Sequence, residues 1–111
     1  MTYQLRITDT RPSNTSQWYP GNITFELYRK NTYQDTGKLT IQQISFDANN
    51  NICAYNSDQN VKKILIYNFD TQDSYNEYIN DPRRIQLNGN SKIESDSSNN
   101  ITSVRTEVGL I

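Results

Sequence analysis

The run Ile64-Leu65-Ile66-Tyr67-Asn68-Phe69 passes straight into Asp70-Thr71-Gln72-Asp73-Ser74-Tyr75-Asn76-Glu77-Tyr78-Ile79-Asn80-Asp81-Pro82, and this stretch decides the fold. Ile64 to Tyr67 is the longest apolar run of the chain, rich in β-branched residues and short enough for a strand. It predicts a central strand covered on both faces. The period then changes. Tyr75, Tyr78 and Ile79 fall at i, i+3 and i+4, which is the spacing of one helix face. Asp70 or Thr71 can cap that helix, and Asp73 in its first turn favours the helix dipole. Asp81-Pro82 ends it, because the residue before proline avoids the α region. A strand feeding a helix calls for mixed α and β architecture.

Toward the N-terminus, Tyr3, Leu5 and Ile7 alternate with Gln4, Arg6 and Thr8, so residues 3–9 read as a half-buried strand. Arg11-Pro12-Ser13-Asn14 stops it. Trp18-Tyr19-Pro20-Gly21 is a loop, and Asn22 has the character of an N-cap. Residues 23–31 read as a short helix with Ile23, Leu27 and Lys30 on one face and Phe25 and Tyr28 beside it. Ile23, Phe25 and Leu27 also alternate, so a strand is the alternative. After the break at Thr36-Gly37, Leu39/Ile41 and Ile44/Phe46 alternate out of phase, and a bulge at Gln42-Gln43 would return both pairs to one face. Asn49-Asn50-Asn51 is a turn, and residues 52–55 form a further strand candidate.

Toward the C-terminus, Ile85 and Leu87 alternate before Asn88-Gly89, a strong hairpin-turn signal. Residues 91–100 are polar and read as a mobile loop. Val104, Thr106, Val108 and Leu110 alternate in a last strand. The element order approximates βαββαβ, which predicts an α+β, ferredoxin-like sandwich in a single domain spanning residues 1–111. An all-β sandwich follows instead if residues 23–31 are a strand.

Composition narrows the role. Of the 111 residues, 33% are hydrophobic, and mean hydropathy is -0.87. A core this thin suggests that a partner or sister subunit covers some apolar surface. The net charge is -1, with no basic block to neutralise a phosphate backbone, so nucleic-acid binding is not expected. Lys62-Lys63 and Arg83-Arg84 read as solvated pairs. No apolar segment has the length of a membrane span. The N-terminus lacks a basic region followed by an apolar one, so no signal peptide is expected, and the sequons at Asn14, Asn22 and Asn100 are read as chance.

No motif carries chemistry. The chain has no histidine and a single cysteine, Cys53, in the apolar run Ile52-Cys53-Ala54-Tyr55, where it reads as a buried small hydrophobe. Without histidine there is no Ser-His-Asp triad, no base for a cysteine nucleophile and no Cys/His zinc site. Thr36-Gly37-Lys38 lacks the earlier glycine and the following Ser or Thr of a phosphate loop, and is a turn. The oxygen-rich segments 47–51 and 94–99 do not match the twelve-residue calcium loop. Glu26, Asp35, Asp47, Asp73 and Glu77 show no pairing. No catalytic residue and no cofactor is expected. Trp18, Tyr19, Tyr28 and Tyr33 are the candidate interface residues, since Tyr and Trp bring large area with a polar tip. The same four could instead form an aromatic platform for a glycan.

Three segments carry a family resemblance. They are Thr10-Arg11-Pro12 followed by Trp18-Tyr19, then Tyr33-Gln34-Asp35-Thr36-Gly37-Lys38, then Phe69 through Pro82. Together they resemble small proteins encoded among the structural genes of tailed phages of marine bacteria, cyanophages especially. The third segment is also similar to the strand-to-helix segment of dimeric α+β barrel proteins, including antibiotic-biosynthesis-type monooxygenases. The phage resemblance implies a non-catalytic virion protein of the tail or neck. Such a protein would assemble in the host cytoplasm and contact copies of itself and other virion proteins. The barrel resemblance implies a ferredoxin-like dimer with a small-molecule pocket, although this chain lacks the histidine often found in such pockets.

Overall fold

The computed structural model describes residues 2–111. The chain runs β1 (Tyr3–Thr10), α1 (Ile23–Arg29) with a π-helical turn over Lys30–Gln34, and β2 (Leu39–Asp47). It continues through β3 (Ile52–Cys53), β4 (Asn60–Phe69), α2 (Gln72–Asn80), α3 (Pro82–Asn88), α4 (Ser91–Ser98) and β5 (Thr102–Leu110). The sheet order is β3-β2-β4-β1-β5, with every neighbouring pair antiparallel. Setting aside the two-residue β3, this is the ferredoxin-like βαββαβ arrangement: two crossover units whose first strands lie side by side in the middle.

Asn22 caps α1 by accepting from the Phe25 N–H at 3.2 Å, and Thr71 caps α2 by accepting from the Ser74 N–H at 3.0 Å. Between helices and sheet lies a cluster of eight buried side chains: Tyr3, Leu5, Tyr33, Leu39, Tyr67, Phe69, Tyr75 and Tyr78. Five are tyrosines, so the core is built from rings. Phe69 meets Tyr75 edge-on with centroids 5.4 Å apart, and Tyr33 meets Tyr78 at 5.0 Å, a geometry that adds about 1 kcal/mol per pair beyond area burial. A buried hydroxyl needs a partner, and three of the five rings reach one. Tyr3 donates to the Glu107 carboxylate, Tyr33 donates to Asp81, and the Tyr67 oxygen accepts from Arg29.

Several expectations are corrected. β4 lies between β1 and β2 as expected of the central strand, but helices cover only one of its faces, and Ile64 and Ile66 on the other remain partly exposed. The β2–β4 ladder is unbroken from Leu39 to Phe46, so there is no bulge at Gln42-Gln43. Ile44 and Phe46 therefore point away from the helices while Leu39 and Ile41 point toward them. The irregularity falls at Phe46/Asp47 instead, beside the turn that Asp47 organises. In α1, Ile23 and Leu27 are 68% and 50% exposed, because the helix turns Phe25, Tyr28 and Arg29 inward. Cys53 is half-buried, since β3 is too short to hold it under cover.

The C-terminal third departs most. Residues 82–88 are helix α3, not half of a hairpin. Pro82 stops α2 but opens α3, where its missing N–H costs nothing. Asp81 serves as N-cap, accepting from the N–H groups of Arg83 and Arg84 at 2.9 and 3.3 Å. Gly89 closes α3 at φ 54°, a conformation that suits glycine. The segment expected to be a mobile loop, residues 91–100, contains α4. Its apolar pattern is weak because a charge docks it: Lys92 bridges Asp96 one turn on, at 2.7 Å, and Asp9 of β1, at 3.2 Å.

Candidate functional site

The site follows from reading across the strands. On the helix-facing side, Leu39, Phe69, Tyr3 and Leu110 share one row, and Ile41, Tyr67, Leu5 and Glu107 the next. The following row is Gln43, Leu65, Ile7 and Arg105, and the last is Ser45, Lys63, Asp9 and Ser103. Each strand keeps its alternation while its inward residues change from apolar to polar. The apolar half is packed by α1 and α2. The polar half is bordered by residues 18–22 and α4, a partial roof, and holds a partly open cavity of about 270 Å³. This is near the lower limit of small-molecule sites, roughly 300 Å³.

The roof is held by a buried polar knot. Asn60, 1% exposed, accepts at its side-chain oxygen from Arg11 Nη2 at 2.8 Å and from Trp18 Nε1 at 2.7 Å. Its amide donates to the Tyr55 carbonyl at 2.8 Å. Arg11 also donates to the carbonyls of Asn60 and Ser16 at 2.7 and 2.8 Å. Burial lowers the Arg11 pKa, with Asp58 opposing, yet a guanidinium stays charged at any working pH. The Trp18 ring has the Arg11 guanidinium 4.8 Å and the Lys63 ammonium 4.6 Å from its centroid. Lys63 is also 4.8 Å from the Tyr55 ring.

Charge around the cavity is unbalanced. Five cations line it, against the three carboxylates Asp9, Glu26 and Asp96, in a chain of net charge -1. Lys92 is claimed by Asp9 and Asp96: burial would lower its pKa, but these carboxylates outweigh that and hold it above the usual lysine value. Arg84 donates to the Tyr78 and Ile79 carbonyls at the end of α2. Lys63 has neither a hydrogen bond nor an ion pair among the described residues, and burial together with Arg11 lowers its pKa, opposed by Asp9. Three buried side-chain atoms among the described residues lack a hydrogen-bond partner, Asp9 Oδ1, Arg29 Nε and Ser45 Oγ; Asp9 and Arg29 line the cavity, and Ser45 lies beside it in the last row.

The four aromatic candidates separate into two pairs. Trp18 and Tyr19 line the cavity. Tyr28 and Tyr33 both donate to Asp81 Oδ2, at 2.7 and 2.6 Å, and Tyr33, 1% exposed, is a core side chain with no surface for a partner. Lys63, read as half of a solvated pair, instead lies in the cavity wall. The sequence shows that Lys63, Leu65, Tyr67 and Phe69 share one parity along the strand, but not that this parity faces the helices. Asp9 extends Tyr3, Leu5 and Ile7 in the same way.

The opposite face of the sheet carries no helix. Ile44, Ile64, Thr8 and Val104 form one row across the four long strands, with Phe46 and Ile66 in the rows beside it. Val104 is 54% exposed.

Strand order and connections define the chain as a ferredoxin-like α+β protein. No family model and no curated protein sequence matches it. Among solved structures it is similar to a dimeric ferredoxin-like protein from an uncultured marine organism, at 8% identity and TM-score 0.41, covering 99% of this chain and 95% of that one. It is also similar to a de novo designed protein with a ferredoxin fold, at 13% identity and TM-score 0.46, covering 100% and 88%. A dimeric ferredoxin-like protein of unknown function from Jannaschia sp. CCS1 gives 13% identity and TM-score 0.42, covering 95% and 99%.

Proposed function

We propose that the chain is a non-enzymatic assembly protein of a bacteriophage virion, in the tail or neck, that pairs with a second copy of itself across its open sheet face. The observation that carries the pairing is the row Ile44, Ile64, Thr8 and Val104, flanked by Phe46 and Ile66, on a face without helices. Four strands about 4.8 Å apart, with about eight residues rising 3.4 Å each, give a footprint of roughly 500 Å² per protomer and roughly 1,000 Å² for two. That reaches the lower bound of about 1,000 Å² for a biological interface, at the small end of the range for specific pairs. The face carries Arg6 and Lys62, and each has an internal partner: Arg6 donates to Gln4 and Lys62 donates to Asn50. The virion setting rests on the three sequence segments that resemble small structural proteins of marine tailed phages.

Sedimentation equilibrium over a concentration series tests the pairing. The native chain is expected to be a dimer at micromolar concentration. Ile64→Glu is expected to be a monomer with an unchanged circular dichroism spectrum, because Ile64 lies outside the core cluster. A monomeric native chain, or an Ile64→Glu chain that still dimerises, removes this face as the contact.

A further inference from the structure

We propose that the cavity on the helix-facing side is a binding site for a small planar organic acid, its anionic group held by Lys63, Arg29 and Arg105 and its body lying against Trp18, Leu65 and Tyr67. This site is separate from the open sheet face and does not depend on the assembly role.

Three observations converge on it. The first is size: about 270 Å³ is roughly nine water volumes, the scale of a single ring bearing an acid group. The second is the state of the charged groups. Lys92, Asp96 and Arg84 are internally paired, whereas the Lys63 ammonium touches only ring faces, Arg29 keeps a buried N–H without a partner, and Arg105 forms no ion pair among the described residues. Asp9 neighbours Lys63 across the β1–β4 ladder but forms its ion pair with Lys92, and a cation held in no ion pair at a partly desolvated wall favours an incoming anion. Glu26, on the exposed side of the cavity, is the one carboxylate not claimed by Lys92. The third is the unpartnered Oδ1 of Asp9. The residue is 6% exposed, and this oxygen would accept from a hydroxyl or N–H on the same ligand. The acid would be gripped by guanidinium and ammonium groups from β4, α1 and β5, with the Asp9 acceptor on β1 between the two strands.

Benzoate, benzamide and benzamidine have nearly the same shape and carry negative, zero and positive charge. Each is titrated into the ¹⁵N-labelled native chain and followed by amide shifts. Benzoate is expected to give saturable shifts at Ile7–Asp9, Lys63–Leu65 and Arg105, with affinity on the order of tenfold above that of benzamide. Lys63→Met and Arg105→Met are each expected to weaken benzoate by a comparable factor. Arg105 is exposed on β5, so its replacement leaves the core untouched and serves if Lys63→Met perturbs folding. Absence of saturable shifts, equal affinity for the three probes, or shifts centred on the open sheet face would each overturn the site. Tightest binding of benzamidine would overturn it too, showing that Asp9 and Glu26 set the preference.

Discussion

An Asn60→Leu chain is expected to lose about 3 kcal/mol of stability and to release the roof of the cavity. The side chain is 1% exposed and makes three hydrogen bonds: from Arg11 Nη2, from Trp18 Nε1, and to the Tyr55 carbonyl. Leucine has similar volume, so the loss is polar. Removing one partner leaves buried donors with their full desolvation penalty, about 1–3 kcal/mol for each group, and Arg11 carries a charge. The remaining carbonyl partners of Arg11 keep the total from rising further. Urea unfolding measures the stability. Emission of Trp18, the single tryptophan of the chain, reports the local event. Proteolysis within residues 13–17 should accelerate in parallel. Asn60→Asp is the counterpart: it keeps a now charge-assisted acceptor for Arg11 and Trp18 but loses the donor to the Tyr55 carbonyl, and should cost about 1–2 kcal/mol, less than Asn60→Leu. If the two variants behave alike, the knot does not hold the roof.

The second large effect is expected at Asp81→Ala, again about 3 kcal/mol. One carboxylate oxygen caps α3 and the other accepts from Tyr28 and Tyr33. Loss of a cap costs about 1 kcal/mol, and leaving the buried Tyr33 hydroxyl unpaired costs about 1–3 kcal/mol more. The effect depends on pH. Burial alone would raise the Asp81 pKa, but the hydrogen bonds from Tyr33, Tyr28 and the Arg84 and Arg83 N–H groups outweigh it and set it below the usual carboxylate value. The lowered value means that this stabilisation is complete above the unfolded pKa, about 4, and fades as pH falls through the folded value. Asp81→Asn keeps the cap and lacks the titration. Stabilities of native and Asp81→Asn chains, measured by urea between neutral pH and acid, should therefore converge as pH falls. A constant difference across that range would show that the carboxylate charge contributes nothing.

Both residues explain how a chain with so little apolar content closes its structure. Its tyrosine rings fill the space between sheet and helices, and their hydroxyls require fixed acceptors. Asp81 supplies one for two rings from the α1 region and ties them to the corner between α2 and α3. Asn60 does the same for the roof, joining the end of β1 to the start of β4 through Arg11 and Trp18.

The sequence by itself determined the elements whose signal is local. The alternation of Tyr3, Leu5 and Ile7, the apolar run at Ile64–Tyr67, a cap at Asp70 or Thr71, and the spacing of Tyr75, Tyr78 and Ile79 place β1, β4 and α2. Residues 23–31, by contrast, read as helix or strand, so the ferredoxin-like order stands beside an all-β sandwich until the structure shows α1. What only the tertiary structure decided is held by partners distant in the chain. α4 is held by Lys92 reaching Asp9 in β1, which no helical pattern records. α3 exists because Asp81 can cap it while accepting from Tyr28 and Tyr33. The orientation of α1 is set by Phe25 and Tyr28 meeting the core, which leaves the equally apolar Ile23 and Leu27 outside. Strand parity was legible, but which parity faces the helices was not, because apolar residues occupy both sides of β4. That choice placed Ile44, Ile64 and Ile66 on the open face and turned Lys63 from a solvated charge into a wall of the cavity.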